Sequence, residues 1–214
     1  MPPSRDRSAR HDPDRVRPRP AVAGVRNLLD DHEVAHDQIE HVEIVTFHEA
    51  SRLATAAPST TEEAQYSLAW PVAAAIVRGR VGVHEISGPS LAYRDILRLS
   101  TTTLTTESDE FNSALPARRF ARVVLVLRDG SRLASGPTEA GGDPEHPLSD
   151  GELGRKYRSL THEVIGTDRA AALADEIDSI DQDRPLDSYV GLLVEPPPPP
   201  SELERSYSAG GRIR

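Results

Sequence analysis

Apolar positions along the chain fall into short blocks whose period alternates between helix and strand. Val22, Val25, Leu28 and Leu29 recur at helical spacing and Pro20 can open a helix, so residues 21–32 are expected to be helical. Residues 39–47 switch to a period of two, with Val42 and Ile44 on one face and Val45 and Phe47 on the other, which predicts a strand. The run from Pro58 to Glu63 carries an N-capping signal, and residues 64–78, rich in Ala and Val, read as one helix stopped by Gly79 and Gly82. A further helix fits residues 90–99, followed by a threonine-rich, strand-like stretch at 101–106. Residues 121–127 (ARVVLVL) are apolar on both faces, as a central strand would be. Asp129-Gly130 is a two-residue hairpin signal leading into residues 132–135. Amphipathic helices are expected over 149–163 and 168–180. Short strands mixed with helices predict an α+β fold, a two-layer sandwich of short mixed or antiparallel strands and helices, rather than a doubly wound sheet.

The ends differ from this middle. Residues 1–18 form a Pro- and Arg-rich stretch that cannot bury apolar surface and reads as a disordered arm. The segment from Glu195 onward, with five consecutive prolines, reads as a Pro-rich tail. The domain is therefore expected to occupy residues 19–194. With 37% hydrophobic residues in 214, the chain is poor in apolar side chains, and part of that deficit sits in the ends. No apolar run approaches the ~18 residues of a membrane span, and no apolar core marks a secretory leader, so no membrane association is expected. The absence of cysteine excludes disulfides and thiol chemistry, and a cytoplasmic setting is the default expectation. The net charge of −9 argues against nucleic acid as a partner.

Common catalytic signatures are missing: there is no Walker loop, no GxGxxG after a strand, no GxSxG and no HExxH. Gly141-Gly142-Asp143-Pro144 reads as a turn. His32 and His36 have the spacing of paired metal ligands on a helix, but Asp30, Asp31 and Glu33 mark that edge as solvated, and no metal is assigned. His48 directly follows the first strand, where a strand end can face a cleft, and is a candidate for substrate binding. The segment Gln65-Tyr66-Ser67-Leu68-Ala69-Trp70-Pro71 places polar and aromatic groups at the opening of an otherwise small-residue helix. Two readings stay open on composition: a concavity lined by Gln65, Tyr66, Ser67 and Trp70, or an aromatic cap packed over the sheet with Ser67 bonded locally.

That segment resembles the MmgE/PrpD family, which includes 2-methylcitrate dehydratases and cis-aconitate decarboxylases. Pro58 to Trp70, with Ala73-Ala-Ala-Ile-Val-Arg-Gly79, is similar to the opening of the family's principal lid helix. Ile39-Glu-His-Val-Glu-Ile44 is similar to its first lid strand, and residues 123–130 to its strand ending in an Asp-Gly turn. Gly142-Asp143-Pro144, Pro147-Leu148-Ser149, Glu152 and Lys156 match a later stretch, so the ordered set covers roughly residues 19–182. The resemblance implies the lid of a two-part enzyme whose other part is an all-helical domain carrying most acid–base groups. It also implies small polycarboxylate substrates and proton removal beside a carboxylate, with no metal or organic cofactor.

The implied partners are a separate helical-domain chain, making a hetero-oligomer, and a small carboxylate substrate. Trp70 and Tyr66 are the candidate catalytic residues on this resemblance, with Gln65 and Ser67 binding substrate, joined by His48 on its place at the strand end. Trp70 stands where many relatives have tyrosine, and indole N–H donates a hydrogen bond but cannot shuttle a proton. The alternative expectation is a non-catalytic lid fold that binds or stabilises a partner.

Overall fold

The structure is a computed structural model that describes residues 19–53, 55–142, 144, 146–180 and 185–196. The expected arm over 1–18 and the tail beyond Pro196 lie outside the described residues. The chain divides between Pro147 and Leu148 into two compact units.

In the first unit, helix α1 (Pro20–Asp31) opens on Pro20, where a missing N–H costs no helical bond. It buries Ala21, Gly24, Val25 and Leu28. A Cβ on Gly24 would sit 3.0 Å from Ser135 Oγ and 3.3 Å from Val123 Cγ2, so glycine is what lets the helix lie against the sheet. Strand β1 (Ile39–Thr46) follows, then the short helices α2 (His48–Ser51) and α3 (Thr61–Tyr66), and helices α4 (Ala69–Arg78), α5 (Val83–Ile86) and α6 (Arg94–Thr101). After these come β2 (Leu104–Glu107), α7 (Asp109–Ser113), β3 (Ala121–Leu127) and β4 (Arg132–Ala134).

The sheet is mixed, in the order β2-β1-β3-β4. β1 and β2 run parallel, with Thr46 opposite Glu107, and the other two pairings are antiparallel. Val42 and Ile44 of β1 and Val123 and Leu125 of β3 point to one face, where they share a core with Val25, Leu28, Trp70, Val72, Ile76, Ile96 and Leu99 of α1, α4 and α6. This is the expected α+β layering, one sheet and one layer of helices.

The element boundaries show where local chemistry overrides pattern. The helix expected over 64–78 is two helices with a break at Ser67 and Leu68. Pro71 is the cause: in a continuous helix its ring would collide with the Ser67 carbonyl and leave it without a donor. The strand expected from Thr101 starts only at Leu104 because the hydroxyls of Thr101, Thr102 and Thr103 donate back to the carbonyls of Leu97, Arg98 and Leu99, at 2.8, 3.0 and 2.8 Å. Gly79 ends α4 with φ of 74°, a left-handed conformation that suits glycine.

The second unit contains α8 (Asp150–Ile165), α9 (Thr167–Asp178) and α10 (Asp187–Val194). Ser149 and Glu152 cap α8 reciprocally: the Ser149 N–H donates to Glu152 Oε2 at 3.0 Å, and the Glu152 N–H donates to Ser149 Oγ at 3.3 Å. Tyr157 donates its hydroxyl to the Ala170 carbonyl at 2.8 Å, joining α8 to α9. Burial, with Tyr189 nearby, holds that hydroxyl above the ordinary tyrosine range. Helix α10 was not expected from the sequence. Arg169 of α9 holds it, donating to the carbonyls of Leu192 (2.7 Å), Leu193 (3.3 Å) and Pro196 (3.2 Å). No helix among the described residues is long and apolar enough to cross a membrane.

Candidate functional site

The segment singled out in the sequence forms an elbow between α3 and α4. Thr60 caps α3, its Oγ1 accepting the Glu63 N–H at 3.1 Å. The Glu63 carboxylate turns back to accept the Ser59 N–H at 2.6 Å and the Ser59 hydroxyl at 2.8 Å, and these bonds hold its pKa below the usual carboxylate value. At the elbow the backbone leaves the helix, and Leu68 donates its N–H to the Leu53 carbonyl at 2.9 Å. Ser67 Oγ then accepts the Trp70 N–H at 2.9 Å and restarts the helix, while donating its own proton to the Thr55 carbonyl at 2.6 Å. Ser100 of α6 makes the matching tie, donating to the Ala56 carbonyl at 2.6 Å. Two buried serines thus hold the loop after α2 against the helices.

Among the carbonyls freed by the break are those of Gln65 and Ser67, whose helical donors would have been residues 69 and 71. The Arg19 guanidinium donates to both. Its role in the structure is to close the elbow from beneath.

Behind the elbow, Trp70 has no exposed surface and donates its indole N–H to the Glu85 carbonyl at 2.8 Å. The Glu85 carboxylate is itself buried. It accepts the Arg80 Nε–H and the Gly82 N–H, each at 2.9 Å. A buried carboxylate needs such donors to offset its lost hydration.

The predicted residues therefore separate by position. Ser67 and Trp70 are fully buried and their polar atoms are bonded within the chain, whereas Gln65 is exposed and Tyr66 is 64% exposed. The elbow presents an amide and a phenol on a rigid base. Both can hydrogen-bond a carboxylate, and the phenol can also transfer a proton. His48 lies apart from them, at the carboxyl end of β1. Its Nδ1 is 2.7 Å from Glu107 Oε2, and its N–H donates to Asn112 Oδ1 at 2.7 Å. Glu107, Glu85 and the Arg19 tie were missed in the sequence. Pro71, four residues after Ser67, was the available signal for the break that Arg19 closes.

A separate charged group lies on the other face of the sheet. Arg132 forks onto the Glu43 carboxylate, 3.0 Å from Oε1, and His41 is 3.5 Å from the same oxygen. Hydrogen bonding from Arg132 leads the causes that hold the Glu43 pKa below 4.5, and it raises that of Arg132. Among the described residues no cluster of three or more His, Asp or Glu could hold a metal ion.

A small mixed sheet under one helical layer, with a proline-broken helix capped by a buried serine, defines the class as an α+β domain. Residues 19–182 match the family model of the MmgE/PrpD C-terminal domain, and the chain belongs to the MmgE/PrpD family. None of the curated proteins compared with it matches the chain.

Proposed function

We propose that the chain is the lid of an MmgE/PrpD-type enzyme, completed by a separate helical-domain chain and acting on a small polycarboxylate. The reaction is proton abstraction beside a carboxylate, leading to dehydration, decarboxylation or isomerisation. The observation that supports this reading is the elbow: Gln65 and Tyr66 stand exposed on a backbone that Arg19, Ser67 and the Thr55 and Leu53 carbonyls hold in place. Such fixed polar groups suit recognition of a carboxylate. In this reading Tyr66 and Gln65 meet substrate. Ser67 and Trp70 act as supports, because their polar atoms already have partners and they reach no surface in this chain.

A second reading, a non-catalytic lid that binds or stabilises a partner, is favoured by one observation, the burial of Trp70. Reconstitution with an MmgE/PrpD-type helical-domain chain separates the two. Incubated with citrate, cis-aconitate and other small di- and tricarboxylates in heavy water, the complex is expected to exchange or eliminate at the carbon beside a carboxylate. A stable complex that leaves every probe unchanged supports the binding protein instead.

A further inference from the structure

We propose that His48 is a proton-transfer group of this domain and that Glu107 is its positioning residue; the inference rests on the lid reading above. Both residues sit at the carboxyl ends of β1 and β2, the parallel pair of the sheet, where Thr46 and Glu107 are in register and His48 lies two residues further on.

The geometry favours proton transfer over simple charge pairing. An ionised carboxylate only accepts, so the 2.7 Å contact between Nδ1 and Glu107 Oε2 places the ring proton on Nδ1. The neutral ring then carries its lone pair on Nε2. The backbone at this point is fixed on both sides: Asn112 Oδ1 takes the His48 N–H at 2.7 Å, Ser51 Oγ donates to the His48 carbonyl at 2.7 Å, and the Thr46 carbonyl accepts the Ser108 N–H at 3.0 Å. The imidazole is nevertheless 52% exposed, so its free edge is accessible.

His41 and His146 also lie near carboxylates. His41 shares Glu43 with Arg132, and His146 shares Glu139 with Arg118. Arginine already neutralises those carboxylates. Among the described residues no arginine is paired with Glu107, so its carboxylate is left to orient the His48 ring.

A short stretch of chain leads from His48 to the elbow. Leu53, five residues further along the chain, accepts the Leu68 N–H. Five residues span at most about 18 Å when extended, and the turn of α2 shortens the path. In the proposed step Nε2 takes the proton from a substrate carbon beside a carboxylate. The C–H electron pair remains on the substrate as an enolate, the ring becomes an imidazolium beside Glu107, and return of a solvent-derived proton reverses the step. The helical chain supplies its own acid–base groups alongside this one.

Two measurements test the proposal. In the isolated chain, nitrogen NMR of the His48 ring is expected to show protonated Nδ1 and bare Nε2 at neutral pH, with that preference lost in Glu107→Gln; an Nε2–H tautomer in the native chain overturns it. In the reconstituted complex, with citrate and cis-aconitate as probes in heavy water, His48→Gln is expected to lower kcat for exchange about 100-fold with KM changed no more than about twofold. Glu107→Gln should lower kcat by about tenfold, partly restored by Glu107→Asp. Native exchange that His48→Gln leaves unaltered overturns this inference alone. A native complex that neither exchanges nor eliminates overturns the lid reading and this inference with it.

Discussion

Ser67 and Trp70 are joined through backbone and side chain at the point where one helix ends and the next begins. The Ser67 hydroxyl accepts the Trp70 N–H at 2.9 Å, and the Trp70 indole continues the chain of bonds to the Glu85 carbonyl at 2.8 Å. The motif Ser-Leu-Ala-Trp is thereby a structural joint, and the groups it displays are its neighbours Gln65 and Tyr66.

Replacing Ser67 with alanine removes the cap of α4 and the donor to the Thr55 carbonyl, both at a position with no exposure. The loss expected is about 1–3 kcal/mol. Urea unfolding should show a lower midpoint with an unchanged slope. An unaltered midpoint contradicts the joint.

Trp70 is the chain's one tryptophan, which makes its burial directly observable. Its fluorescence should be blue-shifted and resistant to acrylamide quenching in the folded chain. Trp70→Phe keeps most of the packing but leaves the Glu85 carbonyl without its donor, costing roughly 1–3 kcal/mol. Trp70→Ala adds a cavity and should cost about 3–5 kcal/mol. Red-shifted, readily quenched emission would place the indole at a surface and restore it as a candidate for contact with substrate.

The Glu43–Arg132 pair predicts a pH dependence with a definite sign. Arg132 lowers the Glu43 pKa in the folded chain below 4.5, so the unfolded chain binds the proton more readily. The pair's contribution is present above that value and is lost as pH falls through the folded pKa. Glu43→Gln should therefore differ from native in thermal midpoint at neutral pH, and the difference should shrink as pH drops below 4.5. A difference that grows on acidification has the wrong sign for this account.

Helix α10 has only eight residues, too few to persist alone, and its last carbonyls depend on Arg169. Arg169→Ala should raise amide hydrogen exchange across residues 187–194 by about tenfold or more while leaving α4 and β3 unchanged. Equal exchange in the two chains would mean that other contacts hold α10.

How much of this was legible in the sequence depends on whether the signal was local. The strand over 121–127, the Asp129-Gly130 turn and the helix expected from 149 appear where pattern and turn chemistry place them. The break at Ser67 was also written locally, in Pro71, but helical periodicity across 64–78 masked it. Helix α10 was hidden because its eight residues are too few to show a helical period, and its anchor, Arg169, lies more than twenty residues earlier. For the site, the segment 65–70 was visible as unusual, yet which of its side chains face solvent was not. That depends on Arg19 and Glu85, which reach the elbow only through the fold. Glu107 was unreadable for the same reason, since parallel pairing alone brings it beside His48.

The central claim is that Gln65 and Tyr66 form the substrate-facing edge of a lid that needs a helical partner. The direct measurement is turnover of small polycarboxylates by the chain alone, by the chain with an MmgE/PrpD-type helical-domain chain, and by the same mixture carrying Tyr66→Phe or Gln65→Ala. The account predicts turnover only in the mixture, lowered about 100-fold by Tyr66→Phe and about tenfold by Gln65→Ala, with complex formation intact. Turnover by the chain alone, or full turnover by both variant mixtures, would contradict it.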